Sequence, residues 1–245
     1  NSSKKINTYS LGFDGAGEES WCELAIARDV ARKYDTNHTE VILNPDDLAD
    51  SLDDMTWHLE QPYSGGLPSW AVFKKISEKF KVGITGVGAD EIFGNYHRGI
   101  KFLFCSDENK KNNIFNKRIF NSGLQNTFYI MNDKQRKDVL WKYESSSSFF
   151  LDDKLFDYFN NYKCSDVDDL VAQLSLDTQL VDEFLMMTDR FSMAYSIEAR
   201  TPFLDHDLVN LVFSIPIKYR VDYRNHKMAL RNSVGHLLPQ SVLSA

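Results

Sequence analysis

KVGITGVGADEIFGNYHR, residues Lys81 to Arg98, changes character twice along its length. Val82, Ile84 and Thr85 read as a short buried strand. Gly86, Gly88 and the acidic pair Asp90–Glu91 then form a tight turn into a helix carrying Phe93 and Tyr96. A strand, a glycine turn and a helix start leave backbone N–H groups free to meet an anion. An aspartate at that place is badly suited to touch phosphate directly but well suited to hold a magnesium ion that does. The alternative is an ordinary βα turn whose acids favour the helix dipole.

Upstream, INTYSLGF (Ile6 to Phe13) is rich in strand formers and runs into a turn at Asp14–Gly15 and Gly17. Glu18 to Lys33 carry Trp21, Leu24, Ala25, Arg28 and Ala31 at helical spacing. A second strand, TEVIL, follows Asn37 and His38, and Asn44–Pro45–Asp46 opens a further helix with Pro45 at its first position. Leu48, Leu52, Met55 and Leu59 form its apolar set. Leu67 to Phe80 then read as a helix leading straight into the strand at Lys81. Strands alternating with helices in this order predict an α/β layer with a mostly parallel sheet.

Downstream the pattern is different. Residues 105 to 135 are rich in Lys and Asn without clean periodicity, and Ser145–Ser148 is a polar run, so both read as loop. Val167 to Glu198 read as a long helix with a stripe of Val181, Phe184, Leu185, Thr188 and Tyr195. Leu208 to Phe213 and Lys227 to Leu238 are further helices, separated by Pro216 and closed by Pro239. The expected division is an α/β nucleotide-binding layer over 1–104 and a mainly helical part over 105–245, packed as one body.

The 245 residues are 42% hydrophobic, enough for one or two cores, and contain no run of eighteen apolar residues. Cys22, Cys105 and Cys164 are odd in number and widely spaced, which argues against a disulfide framework or a zinc site and fits a reducing cytoplasm. A net charge of −7 argues against nonspecific nucleic-acid binding. The expectation is a cytoplasmic protein with neither nucleic-acid nor membrane partners.

Two segments, GVGADEIFGNY and DRFSMAYSIEARTPFLDHDLVNL, together resemble the synthetase domain of the asparagine synthetase (glutamine-hydrolysing) family. The second holds Arg190, Ser192, Met193, Ala194, Glu198, Arg200, Pro202, Phe203, Leu204 and Asp205 in register, and SLGF and the Lys227–Leu230–Arg231 segment before LLP match in order. The resemblance implies a pyrophosphatase-type, adenine nucleotide alpha hydrolase-like fold with parallel strands. It implies a ligase of asparagine biosynthesis: a carboxylate, aspartate first of all, attacks the α-phosphate of ATP, pyrophosphate leaves, and ammonia displaces AMP to give an amide. Magnesium on the pyrophosphate, and a glutaminase domain or subunit supplying the ammonia, belong to the same implication. A homodimer is among the assemblies it allows.

Carried onto this sequence, the resemblance places Leu11 where strand backbone holds adenine, with simple core as the alternative. Thr85 and Gly86 fall against the nucleotide, and Asp90 matches a magnesium ligand with Glu91 as its support. Arg190, Glu198, Arg200 and Asp205 line the acceptor carboxylate, or else form a buried ion-pair network. Lys227 reaches a phosphate, or else lies on a solvated helix face. Asp90, Arg190 and Lys227 are thus the catalytic candidates, Leu11, Thr85 and Gly86 the nucleotide contacts, and Glu198, Arg200 and Asp205 the substrate contacts.

The chain also departs from that family. A strand ending in Ser-Gly-Gly-x-Asp-Ser, expected on the central strand just before Asn1, is absent, as are the lysine-rich segment after LLP and the glutaminase domain. Val87 stands where better-studied members carry an ionisable acid. Loss of a central strand would leave two rows of unpaired backbone groups, so either these residues are part of a longer chain or the sheet has rearranged. The fragment account is the expectation, with these residues alone inactive. Two other readings stand beside it: a non-catalytic binding or scaffold subunit, and a ligase for another acceptor, as in sugar-carboxylate amidation, β-lactam closure or peptide cyclisation. A tRNA-modifying pyrophosphatase-loop enzyme is disfavoured by the acidic charge.

Overall fold

A computed structural model describes residues 4–14, 23–61, 63, 65–94, 173, 176–220 and 226–244, and every structural statement below concerns those. The readings at Gly15, Gly17, Trp21, Tyr96, residues 105–135, Ser145–Ser148 and the three cysteines lie outside them. The chain divides into two compact units, Asn1–Val87 with Val181–Asp205 and Arg231–Ala245, and Gly88–Leu180 with His206–Leu230.

In the first unit β1 (Asn7–Phe13) leads to α1 (Leu24–Lys33) and β2 (Asn37–Leu43). The two strands pair in parallel, Asn7 opposite Asn37 and Phe13 opposite Leu43, as a βαβ crossover requires. Arg32 and Lys33 complement the dipole in the last turn of α1. The single helix expected after Asn44 is two: α2 (Pro45–Asp50), opening on Pro45, and α3 (Leu52–Leu59). The break turns Leu52, counted among the apolar set, largely to solvent. α4 (Leu67–Ser77) follows and touches both β1 and β2, and β3 (Val82–Ile84) comes next.

β3 is not the buried strand that its apolar pattern predicts. Val82 is 45% and Ile84 78% exposed. β3 has one neighbour, β4 (Glu198–Arg200), paired in parallel with Val82 opposite Glu198. The sheet is accordingly two separate two-stranded halves, β1–β2 and β3–β4.

β4 also corrects the long helix expected from Val167 to Glu198. Leu176–Leu185 is π-helical, α6 spans Met186–Ala194, and the helix ends there. Ser196 is left-handed (φ 54°), and Ile197 N–H turns back to Ser192 O before Glu198 N–H meets Lys81 O. Of the expected stripe, Thr188 is buried but Val181 is half exposed, and Leu180, Phe191 and Ser192 are buried in addition. The core cluster of this unit is Met55, Leu59, Trp70, Phe73, Phe191 and Ile197, with the Trp70 ring edge-on to Phe191 at 5.4 Å.

The second unit contains α5 (Ala89–Phe93), α7 (His206–Ser214) and α8 (Ile217–Arg220). Ile92 is fully buried, and Phe93, Val212 and Ile217 are nearly so. Lys227–Leu238 resolves into α9 (Met228–Val234) and a 3-10 turn, with α10 (Gln240–Leu243) after Pro239. The final segment belongs to the first unit and docks within it on α1, where Tyr34 Oη donates to Leu237 O at 2.6 Å and Lys33 Nζ to Leu238 O at 3.1 Å. Among the described residues no helix is long and apolar enough to cross a membrane.

Candidate active site

A cavity of about 790 Å³ opens in the first unit between the two half-sheets. Its walls come from β1 (Asn7, Tyr9, Leu11) and from β3 with its turn (Val82, Ile84, Thr85, Val87). Val72, Phe73 and Ile76 of α4 and Met187 and Thr188 of α6 complete it. Asn37 N–H donates to Ile6 O and Asp14 N–H to Leu43 O, so even-numbered residues of β1 bond to β2. Asn7, Tyr9 and Leu11 therefore turn their backbone groups to the other edge. On β3, Thr85 N–H donates to Arg200 O and Lys81 O accepts from Glu198 N–H, which leaves Val82 and Ile84 in the same position. The cavity is thus bordered by two strand edges, and neither is paired with the other.

Leu11 and Thr85, expected at the nucleotide from strands far apart in sequence, both line this cavity. Thr85 Oγ1 accepts Val87 N–H at 3.2 Å, which sets the turn beyond β3. Gly86 is exposed, and a Cβ there would meet nothing within 4 Å, so packing does not demand the glycine and room for a ligand remains. Val87 adds an apolar wall.

The charges expected at an acceptor carboxylate are only partly brought together. Glu198 and Arg200 pair at 2.8 Å on β4, both largely exposed. The hydrogen bond from Arg200 holds the Glu198 carboxyl below the usual carboxylate range and raises the guanidinium in return. Arg190 reaches back to Glu60 instead, at 3.2 Å. Asp205 closes the 3-10 turn Pro202–Leu204, its N–H donating to Pro202 O. A buried ion-pair network is not what these side chains form, because these pairs are exposed. Sequence reasoning misses Glu60, which sits left-handed (φ 62°) at the end of α3, a geometry no local signal announces.

In the second unit α5 is a single turn flanked by positive-φ glycines, Gly88 (98°) and Gly94 (75°). Such a short helix needs tertiary support, and two cations provide it. Arg220, fully buried, donates to Ile92 O at 3.2 Å and lies 4.6 Å over the Phe213 ring. Lys227 spans the helix, its N–H donating to Gly94 O at 3.2 Å and its Nζ lying 2.9 Å from Asp90 Oδ1. Asp90 and Lys227, both expected at the site, are joined by the fold. Lys227 is therefore not on a solvated face.

Among the described residues no three His, Cys, Asp or Glu side chains converge as a ready-made metal cage. Magnesium is commonly held by one or two carboxylates with phosphate oxygens and water, and Asp90, the carboxylate expected there, is paired with the Lys227 ammonium. Asp90 would be that ligand.

The family model described as asparagine synthase matches residues 1–245. The chain belongs to the asparagine synthase family. It is 22% identical over 264 aligned residues to asparagine synthetase [glutamine-hydrolyzing] 1 of Bacillus subtilis, covering 98% of this chain and 41% of that protein. Asparagine synthetase [glutamine-hydrolyzing] 3 of the same organism is 25% identical over 86% of the chain and 33% of its own length. A probable asparagine synthetase of Schizosaccharomyces pombe is 31% identical over 97 residues, 38% of this chain and 16% of that protein. The chain thus spans less than half the length of these family members.

Proposed function

We propose that this chain is the greater part of the synthetase domain of an ATP-dependent, amide-forming ligase on a pyrophosphatase-type α/β fold. The observation that carries the reading is the cavity that unites Leu11 and Thr85. The unbonded backbone groups of Leu11 offer a donor and an acceptor to an adenine edge, and the open space before Gly86 admits the phosphates. Asp90 holds magnesium, which supplies charge neutralisation on the departing pyrophosphate when bound. Lys227 supplies a cation for a phosphate oxygen. Arg190, Glu198, Arg200 and Asp205 orient the acceptor carboxylate, aspartate in the first instance, and ammonia comes from a glutaminase domain or subunit. The two unpaired strand edges support a strand from outside these residues lying between β1 and β3 and ending in the phosphate-binding loop.

ATP–pyrophosphate exchange on the uninterrupted polypeptide tests this, with magnesium, aspartate and other carboxylates, beside Asp90→Ala. Exchange with aspartate that Asp90→Ala abolishes is the expected result. Exchange with another acid alone would keep the adenylation and discard asparagine. A second reading, a non-catalytic binding subunit, is favoured by Val87, which puts an unionisable side chain on the cavity wall. Absence of exchange with every carboxylate, from folded protein, would establish that reading instead.

A further inference from the structure

The outward face of α3 presents an aromatic side chain to water. Met55 and Leu59 turn into the core and are buried, which points Trp57 the other way, 80% exposed. Asp53 stands four residues before Trp57, Thr56 one before and Glu60 three after, so the four share one side of the helix. Among the described residues they line a hollow of about 540 Å³. An indole there offers roughly 150–250 Å² of surface for a partner to cover, and tryptophan is a favoured anchor where proteins meet.

The charge around the indole is of one sign. Between Lys33 and Lys74 the sequence holds eight carboxylates and neither lysine nor arginine, so that stretch has no strong base of its own to answer them. Two of the acids on and at the end of α3 have found partners: Asp54 lies 3.8 Å from His58, and Glu60 takes the Arg190 guanidinium at 3.2 Å. Asp53 has no ion pair among the described residues. Arg190, which comes from α6, shows within the chain itself which group this face accepts. A guanidinium sits at one end of it, and Trp57 with Asp53 stands open at the other.

We propose that the Trp57 face of α3 is a docking surface for a basic polypeptide segment, an arginine of which stacks on the indole and pairs with Asp53. The indole face attracts a cation, and a planar guanidinium matches both the ring and a carboxylate where an ammonium matches the charge alone. Nucleic acid and anionic lipid are repelled by the carboxylates on either side. A second copy of this chain brings the same net charge of −7 and is repelled as a whole. None of the four residues lines the cavity between the half-sheets, so docking here is independent of the chemistry there.

The probe is a tetra-arginine peptide, blocked at both ends, titrated calorimetrically into the uninterrupted polypeptide at low salt. Saturable binding is expected, with tetralysine several-fold weaker. Trp57→Ala and Asp53→Asn are each expected to weaken tetra-arginine about two- to fivefold, the scale of one exposed cation–π contact or ion pair. Both side chains lie outside the core, so the variants keep the wild-type unfolding midpoint. Glu23→Gln removes an exposed carboxylate at the start of α1 and is expected to leave binding unchanged. Equal weakening in Glu23→Gln and Asp53→Asn, or an affinity indifferent to Trp57→Ala, would reduce the attraction to net charge and overturn the docking surface. Methylguanidinium binding as tightly as the peptide would make this a small-cation site and overturn the polypeptide partner. Absence of saturable binding to folded protein would overturn both.

Discussion

Gly66 and Phe191 give the sharpest test of how the first unit holds α6, the helix that carries Arg190. A Cβ built on Gly66 would lie 2.5 Å from Phe191 Cζ and 2.6 Å from Cε2. The ring has no room to retreat, being fully buried and edge-on to the equally buried Trp70. Overpacking of this kind costs about 1–3 kcal/mol. The helical backbone at Gly66 (φ −89°, ψ −16°) suits alanine, which returns roughly 0.4–1 kcal/mol from the unfolded state. Gly66→Ala is therefore expected to destabilise by about 1–2 kcal/mol. Phe191→Leu deletes the two ring atoms in question and is expected to cost about 1–2 kcal/mol by itself. In the Phe191→Leu background the two clashing ring atoms are gone and the contact with Tyr63 Cδ1 at 3.1 Å remains, so the cost of Gly66→Ala falls to near zero. The double-mutant cycle then carries a favourable coupling of about 1–2 kcal/mol. Urea unfolding of the four proteins measures it. Additivity within about 0.5 kcal/mol would refute the claim that the glycine is present to seat this ring.

Burial, reinforced by the charge of Asp54, pushes the Tyr195 hydroxyl from 10.0 up to about 12. The folded state then holds its proton longer than the unfolded chain, so this contribution is complete below pH 10 and is lost as pH rises towards 12; Tyr195→Phe should flatten that slope in alkaline urea titrations. Arg220→Met strands Ile92 O and removes the cation over Phe213, and is expected to cost about 2–4 kcal/mol, read as a lower unfolding midpoint. Asp90→Ala should lower ATP–pyrophosphate exchange by on the order of a hundredfold or more, and loss of the Lys227 pair should lower unfolding stability by about 1 kcal/mol.

The parallel βαβ opening was legible because each element carries its own local signal. Strand formers mark β1 and β2, helical spacing marks α1 and α4, and Pro45 sits where a helix must begin. β4 was hidden because its three residues follow a helix without a glycine or proline to announce the end. The reversal uses Ser196 in a left-handed conformation, set by tertiary contacts rather than by composition. Val82 and Ile84 read as buried because apolar spacing reports what a strand is suited to face, not whether a neighbour is there. At the site, Asp90 and Lys227 could each be named from the resemblance. Their contact could not be, since no periodicity connects residues so far apart.

The exposed apolar edge of β3 bears on why fold and site belong to one event. Ile84 at 78% and Ile6 at 64% exposure border the cavity, and burying one such side chain is worth about 1.5–3 kcal/mol. Each ladder hydrogen bond formed along Asn7, Tyr9, Val82 and Ile84 adds roughly 0.5–1.5 kcal/mol. A strand entering between β1 and β3 would therefore contribute several kcal/mol, comparable to the whole stability of a domain. The walls it would bond to are the ones that carry Leu11 and Thr85. A ligand that needs the backbone groups of Leu11 and a strand that needs the same edge cannot both use that position. The strand must stop short of Leu11, leaving the ends of β1 and β3 for the nucleotide. Ligand crevices beyond the carboxyl ends of parallel strands have this geometry. In β1, Leu11 lies near the carboxyl end, and Thr85 follows directly on the last residue of β3.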